Sequence, residues 1–396
     1  MATRLSHGFQ SEAYTVHTAN GPITLSAVTY GPIAPDELIL ETAAVSVCAT
    51  DLKAAAGKFY SGPPMILGHE CAGTVLEVGT AARARFAPGD KVVLSYASCR
   101  SECPECVVGA NAYCRELIGL NFSGCRTDGS TAAVDAQGEG LRGHFFGQSS
   151  MGRRIVARAD CAVKVVSETT AEEMRLFASL GCGFQTGTGA VFNVAKPPPN
   201  SSICIFGAGS VGLAACLAAK LTAPARLVVV DNSTAKLAML PECIREAVTH
   251  VVDSSDLTDE GQLVERLKEL TPGGLGFDYA LDCVGRGDLV KAGHLALRAR
   301  GTVISVGGSP DVALQVTLSQ HLVRGITHRG THQGDSVPSV SIPLMIDLWR
   351  QGKFPFDKLL TLYEFGELHR AIQDVKDGNV VKPVLVNLRY RSGGLC

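Results

Sequence analysis

Ile203-Cys204-Ile205-Phe206-Gly207-Ala208-Gly209-Ser210-Val211-Gly212 is the stretch that decides the fold. Four apolar residues read as a short buried strand, and the glycine turn after them opens a helix over 211–220. Gly207 permits a tight turn, Gly209 lets the backbone approach a pyrophosphate, and Gly212 allows close helix–strand packing. The helix N-terminus would face the phosphate charge. A second apolar run, Leu227-Val228-Val229-Val230, ends at Asp231, where a carboxylate can bind both ribose hydroxyls and repel a 2′-phosphate. The loop therefore points to NAD rather than NADP. The competing reading of the same turn is a flavin-binding or non-binding α/β fold, with Asp231 a strand-end cap.

The rhythm persists downstream. Phe277-Asp278-Tyr279-Ala280-Leu281-Asp282 and Thr302-Val303-Ile304-Ser305-Val306 are further strand-like runs separated by helical segments. Continuous apolar strands alternating with helices indicate a parallel, doubly wound sheet. Upstream the pattern differs. Glu37-Leu38-Ile39-Leu40-Glu41-Thr42, Gly73-Thr74-Val75-Leu76-Glu77-Val78 and Lys91-Val92-Val93-Leu94 are short β-type runs, punctuated by turns such as Pro88-Gly89-Asp90. Lys196-Pro197-Pro198-Pro199-Asn200 separates the two regimes, and the composition shifts again after about Gly334. The expected division is a β-rich domain over 1–183, a dinucleotide-binding domain over 184–330, and a return to the first domain over 331–396.

At 396 residues the chain exceeds the usual span of one core, which also favours two domains. A net charge of −2, with basic residues spread along the chain, gives no footprint for nucleic acid. No stretch approaches the ~20 apolar residues that span a bilayer. Met1–His7 lacks the apolar core of a secretory leader, and Gly394-Leu395-Cys396 is no usual targeting signal. Fourteen cysteines without a leader fit a reducing compartment, so a cytoplasmic location is expected, with thiols serving metals rather than disulfides.

Six of those thiols fall into two sets. Cys99, Cys103, Cys106 and Cys114 are spaced C-x3-C-x2-C-x7-C, close enough for one loop to wrap four thiolates around a zinc ion. The first gap is one residue longer than C-x2-C, which makes Cys99 the irregular member. Four cysteines close the coordination sphere, so this set reads as a structural clamp. Cys48, His69 and Cys182 form a scattered second set; three protein ligands would leave a zinc with one open position. The other eight cysteines read mostly as small buried hydrophobes.

The neighbours of that trio carry a resemblance. Cys48-Ala49-Thr50-Asp51, Gly68-His69-Glu70 and Gly181-Cys182-Gly183-Phe184-Gln185-Thr186-Gly187 resemble signature segments of the zinc-containing medium-chain alcohol dehydrogenases, and the similarity covers nearly the whole chain. Phe145-Phe146-Gly147-Gln148-Ser149-Ser150, Gly334-Asp335-Ser336-Val337-Pro338 and 352–359 are most similar to the aryl (benzyl-type) branch. The resemblance implies a GroES-like β-rich catalytic domain plus a Rossmann doubly wound parallel sheet, with an active site in the cleft between them. It implies two zinc ions per chain, the catalytic one on Cys48, His69 and Cys182. Glu70 would stand behind that metal, Asp51 would orient the His69 imidazole, and Thr186 and Val211 would lie against the nicotinamide. Phe59 and Tyr96 align with pocket-lining positions, or are simply core.

Zinc in an open site lowers the pKa of an alcohol, and its hydride can pass to a nicotinamide held in line. Thr50, two residues after the zinc cysteine, matches the family's proton-accepting hydroxyl. Relatives carry a His one or five residues after that cysteine; here Ala49 and Lys53 stand there. The proton is therefore expected to leave through the ribose hydroxyl to water, with Lys53 assisting. The expected substrate is a primary aromatic or allylic alcohol or its aldehyde, a small molecule. The competing reading is a repurposed zinc-containing medium-chain enzyme acting on C=C or C=N bonds, or on an aliphatic or terpenoid alcohol. Relatives with a long segment like 115–150 are frequently dimers, so a homodimer joined at the Rossmann sheet edge is expected, with a tetramer as the alternative.

Overall fold

Ile203 and Ile205 pack into one apolar core, while Cys204 and Phe206 pack into another on the opposite face of the same strand. Side chains of a strand alternate, so a strand with a core on each side must be apolar throughout. The computed structural model, which describes residues 8–99, 102–256, 260–308, 312–314 and 317–390, places this strand at the centre of a six-stranded sheet. Met1–His7 and 391–396, including Cys396, lie outside the described residues.

In chain order the strands of this sheet are β1 (Ser202–Phe206), β2 (Arg226–Asp231), β3 (His250–Asp253), β4 (Phe277–Asp282), β5 (Leu297–Ser305) and β6 (Thr327–Gly330). They lie in the order β3-β2-β1-β4-β5-β6, all parallel. The order reverses direction at β1, which leaves a crevice at the carboxyl end of that strand, where the glycine turn sits. Beyond β5, the helix Leu318–Arg324 exposes Leu318, Leu322 and Val323, each more than four-fifths accessible, beside the exposed edge strand β6.

The β-rich part is built around Glu37–Ser46, nearly all of it buried. One edge of that strand pairs antiparallel with Cys71–Val78. The other edge is shared: Arg154–Arg158 pairs with residues 37–41, and Lys382–Val386 pairs with residues 44–46. The C-terminal strands Leu360–Glu364 and Lys382–Val386 thus complete a sheet begun at the N-terminus.

The two parts meet along one helical run from Leu180 to Ala195, whose ends are π-helical turns around an α-helical centre. A Cβ at Gly181 would lie 1.9 Å from the Leu94 carbonyl, and one at Gly187 would lie 2.1 Å from that of Val211. Glycine at both positions lets this run touch the β-rich sheet and the cofactor helix, backbone against backbone. The expected boundary at 183/184 falls within it.

A buried ionic cluster anchors the 124–144 excursion. Glu37 accepts from Arg126 Nε (2.7 Å) and His144 Nε2 (2.8 Å) through Oε1, and from the Ala34 amide through Oε2 (2.7 Å). Burial alone would raise the Glu37 pKa, but His144 and Arg126 outweigh it and hold it at about 2. The carboxylate therefore stabilises the fold above its ordinary value of 4.5, and that contribution disappears as pH falls through 2. Glu37→Gln is expected to cost about 2 kcal/mol at neutral pH, by stranding Arg126 and His144. Urea unfolding at pH 7 and pH 3 tests this, since the difference from wild type should shrink at the lower pH.

Candidate active site

Four side chains from three segments converge where the strand Glu37–Ser46 ends. Cys48 caps the helix Ala49–Ala55, His69 and Glu70 precede the strand Cys71–Val78, and Cys182 lies on the connecting run. One donor atom from each lies within 4.8 Å of the others. Asp51 holds two of them in place. Its Oδ2 accepts from the Cys48 amide (3.0 Å), and its Oδ1 accepts from the Gly68 amide (3.1 Å) and His69 Nδ1 (2.9 Å). The imidazole is thereby oriented, and its Nε2 is buried with no hydrogen-bond partner among the described residues, Glu70 Oε1 lying 3.9 Å away.

Charge at this point calls for a cation. A hydrogen bond from Cys182 and the nearby His69 hold the Cys48 thiol well below its ordinary pKa, against burial, while the same contact and burial push Cys182 up. Burial disfavours charge on His69, yet Asp51 and Cys48 outweigh it and raise its pKa. An unpartnered imidazole nitrogen beside a thiolate-favouring sulfur fits a zinc ion. His69 and Glu70 are fully buried, whereas Cys48 and Cys182 keep some exposure, so the group is open on one side. Behind it, Lys382 donates to Glu70 Oε1 at 2.6 Å, both groups fully buried. Lys382 has no signal in the sequence; the return of the last strand brings it there.

The second set also gathers. One sulfur from each of Cys99, Cys103, Cys106 and Cys114 lies within 4.8 Å of the rest. Cys99 is included despite its longer gap: its Sγ is 3.7 Å from Cys106 Sγ, and its amide donates to Cys114 Sγ at 3.3 Å. A hydrogen bond from the Arg115 backbone helps hold Cys103 at about 7, toward the thiolate a metal requires.

At the glycine loop, a Cβ on Gly212 would lie 1.9 Å from the Gly207 carbonyl, whereas one on Gly209 would meet no atom within 4 Å. Gly212 is thus a packing requirement and Gly209 an open approach, backed by a helix N-terminus without a side-chain cap. Gly207, Gly209, Asp231, Lys236 and Arg286 border a cavity of about 640 Å³. Asp231 accepts from the Ala208 amide (2.7 Å) and the Ser233 amide (2.9 Å), which ties the end of β2 to the glycine turn. Thr186 lies four residues after Cys182 on the connecting run, whose neighbouring Gly187 abuts Val211. Its hydroxyl donates to Gln333 Oε1 at 3.2 Å.

Thr50 Oγ1 is 3.7 Å from Cys48 Sγ, within reach of the cluster, whereas Lys53 is exposed on the same helix. Tyr96 is buried, with its hydroxyl donating to the Ser336 carbonyl (2.6 Å); its ring borders a separate cavity beside Phe86 and Val337. Phe59, in contrast, joins a group of rings over His69. Phe146 stacks on the imidazole at 4.6 Å, Phe145 meets it edge-on at 5.7 Å, and Phe59 packs against Phe145 (5.6 Å) and Phe122 (5.0 Å). Phe122 was not singled out by sequence, and Phe145 and Phe146 only as part of a recurring segment.

Comparison with known proteins agrees with this arrangement. Residues 34–165 match the alcohol dehydrogenase GroES-like domain, and residues 210–349 match the zinc-binding dehydrogenase domain. The chain is 37% identical over 377 residues to a geraniol dehydrogenase of Castellaniella defragrans, covering 95% of this chain and 97% of the relative. Among solved structures, an alcohol dehydrogenase zinc-binding domain protein from Burkholderia ambifaria superposes with TM-score 0.87 at 36% identity, covering 96% of this chain and 99% of that one. A benzyl alcohol dehydrogenase from Acinetobacter calcoaceticus superposes with TM-score 0.85 at 32% identity, with the same coverage. The chain belongs to the zinc-dependent medium-chain alcohol dehydrogenases. It is an alcohol oxidoreductase acting on small molecules.

The loop geometry separates two glycines experimentally. Gly212→Ala should lower the melting temperature sharply, because backbone must move. Gly209→Ala should leave stability within about 1 kcal/mol while weakening NADH binding, read by fluorescence titration.

Proposed function

We propose that the chain oxidises a primary aromatic or allylic alcohol to its aldehyde, and runs the reverse reduction, with NAD(H) rather than NADP(H). The observation that carries this reading is the buried Nε2 of His69, without a hydrogen bond and gathered with Cys48 and Cys182, the last of which stands four residues before Thr186 beside the glycine-loop helix. Cys48, His69 and Cys182 would hold a catalytic zinc, and Cys99, Cys103, Cys106 and Cys114 a structural one. Bound there, zinc supplies a Lewis acid that lowers the pKa of an alcohol hydroxyl, and NAD supplies the hydride acceptor.

The chain's own residues then have defined tasks. Thr50 Oγ1 takes the alcohol proton, and Asp51 keeps the His69 imidazole turned toward the metal position. Lys382 pairs with Glu70 Oε1, and Glu70 would stand behind the three ligands as a supporting carboxylate. Open backbone at Gly209 and the helix N-terminus receive the pyrophosphate, Asp231 the ribose, and Thr186 and Val211 the nicotinamide face. Ala49 can carry no proton, and Lys53, exposed to solvent, is at most a weak aid. Resemblance to a geraniol dehydrogenase favours an allylic chain as an alternative to a benzylic ring.

The same reading takes the catalytic domain as 1–183 and 331–396, with the cofactor domain as 184–330. It takes the exposed helix Leu318–Arg324 and edge strand β6 as the meeting face of a homodimer, since the exposed Leu318, Leu322 and Val323 lie beside an edge strand with an open side, which invites a second copy. A cytoplasmic location suits its many unpaired thiols.

Elemental analysis should return two zinc ions per chain, and benzyl-type or allylic alcohols should drive NADH formation. One zinc ion would indict the four-cysteine set, and no NADH formation would end the reading. Thr50→Ala should lower kcat about a hundredfold. Asp231→Ala should narrow the preference for NAD over NADP, and full retention of that preference would remove Asp231 from its role.

A further inference from the structure

Tyr60 and Phe122 have no task in the site so far described, yet they end a continuous path of rings that begins at His69. Phe146 lies 4.6 Å from His69, Phe122 lies 5.2 Å from Phe146, and Tyr60 lies 5.1 Å from Phe122. Exposure rises along it, from 4% at Phe146 and 6% at Phe122 to 67% at Tyr60. The path thus ends in an open ring at the surface.

The two ends of the last step differ in rigidity. Phe122 ends the helix Leu117–Phe122, whose neighbouring Asn121 accepts from the Ala97 amide (2.7 Å) and donates to the Ala97 carbonyl (2.9 Å), fully buried. That clamp fixes the Phe122 ring. Tyr60 stands in a turn between Gly57 and Gly62, and its hydroxyl has no hydrogen bond among the described residues. Phe122 meets Phe59 and Phe146 edge-on, at 90° and 74°, but Tyr60 covers its face at 8°. One face of a ring held by its helix is therefore stacked by an exposed ring, Tyr60, which otherwise meets Phe59 edge-on at 5.6 Å.

We propose that Tyr60 and Phe122 form an aromatic gate at the outer end of the alcohol site. Tyr60 swings off, and the flat unsaturated tail of the substrate takes its place against Phe122. Stacking lost on opening is recovered by a planar π-system but not by a saturated chain. The pair thus selects extended conjugated or allylic alcohols over saturated ones of equal length. This rests on the alcohol-oxidising reading above.

Cinnamyl alcohol and 3-cyclohexylpropan-1-ol have the same length but carry a planar conjugated and a saturated tail respectively, and test the gate. Their Kd values are read by calorimetry on the zinc- and NADH-loaded chain, where the alcohol cannot turn over, and KM and kcat are read with NAD. Wild type should bind the unsaturated alcohol about fivefold tighter. Phe122→Leu should bring that ratio close to one, moving KM more than kcat. Tyr60→Ser, at an exposed position that leaves folding intact, removes the ring to be displaced and should tighten cinnamyl alcohol about threefold. A ratio near one in wild type, an unchanged ratio in Phe122→Leu, or weaker binding in Tyr60→Ser would overturn the gate. Turnover without discrimination would overturn the gate alone. Discrimination without turnover would support the gate and overturn the alcohol-oxidising reading.

Discussion

Everything in the cleft depends on how closely the run Leu180–Ala195 can approach its neighbours. Gly181 and Gly187 leave no side chain between that run and the backbones of Leu94 and Val211. Packed so, one rigid element carries Cys182 to the β-rich sheet and Thr186 to the cofactor helix. The spacing of Cys182 and Thr186 is then set by helix rise. Hydride transfer demands such fixed geometry, because a small misplacement of the reacting atoms costs orders of magnitude in rate.

Electrostatics at the metal position follows the same economy of parts. One carboxylate, Asp51, gathers the Cys48 amide, the Gly68 amide and the His69 imidazole, so two candidate ligands from separate segments share one anchor. A second carboxylate, Glu70, lies beside them and is paired with Lys382 from the far end of the chain. Two sulfurs, an imidazole and a paired carboxylate leave a net demand for positive charge on the side open to the cleft. Over the imidazole lie the apolar rings of Phe145 and Phe146.

How much of this was legible in the sequence depended on whether the signal was local. Gly207, Gly209 and Gly212 state their roles within six residues, and the alternation of strands and helices around them specifies the parallel sheet. The four cysteines of the 99–114 lobe are equally local, and the extra residue after Cys99 is absorbed without removing its sulfur from the group. Lys382 and Phe122 carry no such signal. A lysine near a C-terminus reads as solvated until a strand pairing at residues 44–46 buries it. The ring path is assembled from residues 59–60, 122 and 145–146, which share no period and no motif. Tyr96, which the sequence left as either pocket wall or core, is buried with its hydroxyl committed to the Ser336 carbonyl.

By itself, then, the sequence determined the fold class, the dinucleotide loop and the identities of the candidate metal ligands. Each is encoded by residue type at fixed short spacing, or by flanking segments with a known resemblance. Only the tertiary structure decided which of those groups share a point in space, which charges are paired behind them, and which rings gather over His69. Those are contacts between segments far apart in the chain, made by sheet pairing and close backbone approach, and no local pattern encodes them.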